Sequence, residues 1–85
     1  MTPPFLVRSS ARFERLFRKL LRRHPELRVL RNRVGDVLET DPTNRTRVHH
    51  IKKLEGIPSG EGQWRLSLGR FRFRYDIHGR EVALQ

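Results

Sequence analysis

Apolar residues recur along this chain with two different periods. Phe13, Leu16, Phe17, Leu20 and Leu21 fall at i, i+3, i+4, i+7 and i+8, the stripe of an amphipathic helix. Ser9 or Ser10 supplies an N-cap, and the helix is expected to run to about Arg23. Arg12, Arg15, Lys19, Arg22 and Arg23 fall largely outside the stripe, and the last-turn cations suit the negative end of the helix dipole. His24-Pro25 breaks the pattern and Pro25-Glu26 opens a second helix. Leu27, Leu30, Val34, Val37 and Leu38 form its stripe, and Thr40-Asp41-Pro42 stops it. Gly35 costs this helix about 1 kcal/mol against alanine and leaves room for close helix packing. These two segments predict a helical hairpin with basic outer faces.

The last third changes to period two. Trp64, Leu66 and Leu68 alternate with Arg65, Ser67 and Gly69, and Phe71, Phe73, Tyr75 and Ile77 alternate with Arg70, Arg72, Arg74 and Asp76. A two-residue turn at Gly69-Arg70, glycine first, pairs Leu68 with Phe71, Leu66 with Phe73 and Trp64 with Tyr75. A second tight turn at His78-Gly79 is expected to pair Tyr75 with Val82 and Phe73 with Leu84. Both registers place the apolar residues on one face, which predicts a three-stranded antiparallel meander. At the other end, Pro4 to Arg8 reads as a short strand whose prolines keep its start at a sheet edge. Residues 43–62 read as a connecting stretch, pinned to the core by Ile51, Leu54 and Ile57. Its length signals either function or an element that the pattern hides. The expected fold is a single α+β domain over residues 1–85: strand, helix, helix, then three strands, with the helical hairpin covering one sheet face.

Composition narrows the function classes. Eighty-five residues make one small domain, and such a chain needs a compact core. Hydrophobic residues are only 35% and charged residues 33%, but the periodicities exclude a disordered basic tail. There are no cysteines, hence no disulfide framework and no thiolate metal site, which fits a reducing, cytoplasmic compartment. No apolar run approaches the ~20 residues of a membrane span, and MTPPFLVRSS lacks the apolar core of a signal peptide. Charge is the informative quantity: 19 Lys+Arg against 9 Asp+Glu give a net +10. Sixteen of the 19 cations are arginine, the side chain suited to forked contacts with phosphate. Nucleic acid or an acidic protein is the expected partner.

The registers sort this charge. If the helices cover the aromatic face, the other face carries Arg65, Ser67, Arg72 and Arg74. Arg65 lies opposite Arg74, Ser67 opposite Arg72, and Gln85 opposite Arg72 from the other side. Directly opposed like charges cost up to about 1 kcal/mol, and only Asp76 and Glu81 offset them. The pattern reads as an anion-binding face, with Lys52, Lys53 and Arg70 as rim charges; the plain alternative is a solvated basic face. His49 and His50 are candidates for acid–base chemistry. Adjacent histidines point apart on an extended chain and no carboxylate cluster joins them, so no metal site is assigned. His78 falls in a turn with a structural role, and alternation turns Tyr75 toward the core.

The segment Lys53-Leu54-Glu55-Gly56, then Trp64-Arg65-Leu66-Ser67-Leu68-Gly69, then Arg70-Phe71-Arg72-Phe73-Arg74-Tyr75-Asp76-Ile77, resembles the RelE/ParE superfamily of toxin–antitoxin toxins. The β-α-α-β-β-β order also matches, so the resemblance covers nearly the whole chain, its specific part being residues 53–77. It implies an mRNA endoribonuclease, ribosome-associated or free, that inhibits translation without metal or cofactor: a ribose 2′-hydroxyl attacks the adjacent phosphate and cations stabilise the charge that builds there. Arg72 falls on the family's sheet arginine that contacts the scissile phosphate, and Arg65 on a basic position of the preceding strand. With these as catalytic residues, Lys52, Lys53, Ser67, Arg70 and Arg74 are the expected RNA-binding set. The family usually carries a second basic residue where this chain has Ser67. It also carries a basic residue and a Tyr or His after the last strand, where this chain ends at Gln85. The resemblance further implies a small acidic antitoxin. Two alternatives stay open: a ParE-like toxin that acts on DNA gyrase without cutting RNA, and a basic binding module with no catalysis.

Overall fold

The computed structural model describes residues 3–85. Its elements are β1 (Leu6–Ser9), α1 (Ala11–Arg23), α2 (Leu27–Thr40), β2 (Ile51–Lys53), β3 (Trp64–Leu68), β4 (Phe71–His78) and β5 (Glu81–Leu84). The strands form one five-stranded sheet in the order β1-β5-β4-β3-β2. The α+β architecture is the one the periodicities predict. One strand is added: Ile51–Lys53, inside the expected connecting stretch, pairs antiparallel with β3. At three residues it is too short for alternation to reveal, and its two lysines blunt an open sheet edge. Among the described residues no helix is long and apolar enough to cross a membrane.

Local chemistry sets the element ends. The Ser10 side chain accepts the Phe13 N–H at 3.0 Å, the N-cap that orphan helix donors require. The second helix begins at Leu27, with no side-chain cap on its first turn. Gly69 and Gly79 have φ of 59° and 60°, and the arginine after each has negative φ, as type II′ hairpin turns demand. The second hairpin therefore turns on Gly79-Arg80, not His78-Gly79. His78 pairs with Glu81, Ile77 with Val82 and Tyr75 with Leu84. The Gln85 N–H accordingly donates to the Arg74 carbonyl at 2.9 Å, so Gln85 lies beside Arg74 rather than Arg72. A slip of two residues preserves side-chain parity, which is why the apolar face is the same in both registers.

The helical hairpin lies on that face. Phe13, Leu27, Val34 and Leu38 pack against Leu66, Phe73, Tyr75, Val82 and Leu84, all at most 8% exposed. Each such burial contributes roughly 1.5–3 kcal/mol. Trp64 stacks on Tyr75 with ring centroids 6.4 Å apart, as their cross-strand pairing predicts. A Cβ at Gly35 would meet only the Arg31 guanidinium, at 3.5 Å, so this glycine serves no close helix approach.

Candidate functional site

The other sheet face carries no helix over β2, β3 and β4, residues 62 and 63 cover it only at Arg74 and Asp76, and paired strands bring its cations into rows. Lys52 is opposite Arg65, and Arg65 is opposite Arg74. In the adjacent row, Ser67 is opposite Arg72, and the His50 carbonyl accepts the Ser67 N–H at 2.9 Å. An open groove of about 630 Å³ runs over these positions, lined by His49, His50, Lys52, Arg65, Ser67 and Arg72, with Ile51 and Gly69. Arg65 and Ser67 are half-buried, whereas Lys52, His50 and Arg72 are exposed.

Each arginine is held differently. One Arg72 guanidinium nitrogen donates to the Gly69 carbonyl at 2.9 Å and to the Phe71 carbonyl at 3.2 Å, which fixes the head over the β3–β4 turn. Arg74 is drawn aside: its Nε and one terminal nitrogen donate to the Gly62 carbonyl at 3.1 and 2.9 Å, relieving repulsion from Arg65. Arg65 Nε is buried with no hydrogen-bond acceptor. An unsatisfied buried donor costs about 1–3 kcal/mol, more where charged.

Two expected rim cations lie elsewhere. Lys53 pairs with Trp64, so parity puts it with the aromatic side chains, and its ammonium sits 5.6 Å from the Trp64 ring centre. Arg70 lies over Phe71 and reaches His24 Nδ1 at 2.9 Å, at the junction of the helices. The two acids expected to offset the open face are also engaged. Glu81 pairs with Arg8 at 3.1 Å, and Asp76 is fully buried, accepting the Gly62 and Gln63 N–H groups at 3.0 Å each.

The turn before β2 carries residues that periodicity alone does not single out. Asp41 is buried; its carboxylate accepts the Arg45 N–H at 2.6 Å, the Thr46 hydroxyl at 2.6 Å and the Thr46 N–H at 3.2 Å. Burial alone would raise its pKa. The hydrogen bonds from Thr46 and Arg45, with nearby His49, outweigh burial and hold the carboxyl below its ordinary value. Tyr75 is buried in the core and donates its hydroxyl to the Pro42 carbonyl at 2.6 Å. Burial, with the charge of Asp41, pushes its pKa above the usual tyrosine range, so it is no acid–base group for the groove. The readable signal for this turn was its Asp-Pro-Thr-Asn composition.

Comparison of the chain with protein-family models, with curated proteins and with solved structures finds no match in any of the three. The functional reading therefore rests on the residues and their geometry.

Proposed function

We propose that this chain is the toxin of a toxin–antitoxin pair, a cytoplasmic RelE-type mRNA endoribonuclease that arrests translation under stress. The observation that carries this reading is the convergence of Arg65, Ser67, Arg72 and Lys52 in one groove on the sheet face without helices. When a ribose 2′-hydroxyl attacks the neighbouring phosphorus, negative charge grows on the phosphoryl oxygens. Donors already aimed at that charge stabilise the transition state without reorganising. Arg72 suits this role because backbone carbonyls hold one side of its guanidinium and leave the rest for phosphate. Arg65 lines the same groove, half-buried, where a guanidinium can form charge-assisted hydrogen bonds with phosphate oxygens. Lys52 and Ser67 add contacts along the strand, and Arg74 contributes field rather than a free head.

The same charge favours a small acidic antitoxin as partner. Half-exposed Leu16 and Leu20, beside Lys19, Arg22 and Arg23 on α1, suit an acidic amphipathic segment that folds on contact.

Expression of the Arg72→Ala variant tests the assignment. Growth arrest should disappear while circular dichroism and thermal unfolding stay at wild-type values. Undiminished arrest would remove Arg72 from the site. Mapping RNA ends on programmed ribosomes separates the targets: intact RNA with accumulating DNA breaks would replace this reading with a gyrase-directed ParE type.

A further inference from the structure

His49 and His50 are equivalent in sequence but not in the fold. The Asn44 side chain donates from Nδ2 to the His49 carbonyl at 2.8 Å and accepts the His49 N–H on Oδ1 at 3.1 Å. Asn44 itself has φ of 58°, a left-handed conformation that asparagine adopts more readily than most residues. Behind it, the Asp41 carboxylate secures Arg45 and Thr46. Immediately beyond, the His50 carbonyl joins the Ser67 N–H. Opposed residues on paired strands share a face, so His50 stands beside Ser67 with Arg72 across it and lines the groove. His49 turns back, its Nε2 lying 3.7 Å from the Asp41 carboxylate. Both histidines border the groove, but only His50 lies in register with Ser67, while His49 is tied to the turn by Asn44 and Asp41.

We propose that His50 is the proton-transfer residue of this groove and that Asn44 is the positioning residue that holds it there. This rests on the endoribonuclease reading. As the O2′–P bond forms and the P–O5′ bond breaks, a His50 imidazole nitrogen takes the 2′-hydroxyl proton. The departing 5′-oxygen takes a proton from water, and the imidazolium then returns its proton to the hydroxide left behind. The products are a 2′,3′-cyclic phosphate and a 5′-hydroxyl, with no net change in protons or electrons. The charged and titratable groups around His50 are Arg65 from β3, Arg72 from β4, Lys52 on β2, Arg33 from α2, and His49 with Asp41 from the turn. Imidazole is the side chain suited to exchanging a proton between about pH 5 and 8.

Single-turnover cleavage of a short RNA, free and as mRNA on programmed ribosomes, tests the proposal across pH 5 to 8. Affinity is read in parallel by fluorescence anisotropy, using the same RNA with a 2′-deoxy sugar at the cleaved position. His50→Gln should slow cleavage by about 100-fold or more and abolish the inflection in the rate–pH profile, with affinity within about twofold of wild type. Asn44→Gly keeps the left-handed backbone but removes both hydrogen bonds, and should slow cleavage by about tenfold. Asn44→Asp, which keeps the acceptor for the His49 N–H, should recover part of that loss. If His50→Gln cuts at the wild-type rate with an unchanged profile while Arg72→Ala does not cut, the proposal falls and the endoribonuclease reading stands. If Asn44→Gly matches wild type, the positioning role falls. A wild-type protein that cuts neither substrate overturns the proposal and the reading together.

Discussion

Gly62 shows how one residue ties a loop to the sheet. Its N–H donates to buried Asp76, its carbonyl accepts from Arg74, and its φ of +83° lies in the left-handed region. A Cβ there would stand 2.7 Å from the Arg74 Cβ. Gly62→Ala should therefore cost about 2 kcal/mol or more, strain and clash combined, read as a lower urea midpoint. An unchanged midpoint would refute the close approach. Asp41 gives a prediction in pH. Its pKa is lower in the folded chain than its ordinary 3.8, so its contribution to stability is complete above that value and fades as pH falls through the folded value. The stability advantage of wild type over Asp41→Asn should be constant above about pH 5 and shrink below pH 3.8; a gap that ignores pH would contradict the assignment. Of the two, only Asp41 was marked in the sequence, as part of the Thr40-Asp41-Pro42 stop of the second helix. Alternation assigned Asp76 to solvent, because nothing in a period-two pattern reveals that residues 62 and 63 fold back over it.

At the scale of elements, the strong periodicities placed the helices and the long strands, since burying a stripe or a face is what those elements are for. What they left open was set by turns. Parity is blind to a two-residue slip, so the β4–β5 register depended on which residue beside Gly79 shares the turn, and positive φ at Gly79 selected Arg80. β2 escaped notice because only its pairing with β3 makes it a strand. Gly35 is helical with space beside it, so Gly35→Ala should stabilise the protein by about 1 kcal/mol through helix propensity. A rise in Tm of a few degrees would show this, and a fall would mean that the helix needs a smaller residue there.

Across the whole molecule, the ten surplus charges divide into populations with different duties. Those on α1 coat the outside of the hairpin, while those on β2, β3 and β4 are forced into rows by strand pairing. If Lys52, Arg65 and Arg72 each neutralise a phosphate, the affinity for single-stranded RNA should fall with salt at a log–log slope of about −2, and Arg65→Ala should flatten it by roughly 0.7. A flat response in wild type would mean that the face contacts no phosphate. The sequence by itself determined the α+β class, the helical hairpin, the shared apolar face and the basic character of the opposite one, because periodicity and net charge are properties of order along a chain. Tertiary structure decided which cations meet. It gathered Arg65, Ser67, Arg72, Lys52 and His50, turned Lys53 and Arg70 away, and withdrew Arg74 to Gly62. Those outcomes depend on register, on an edge strand and on loop closure, where residues distant in sequence share one surface.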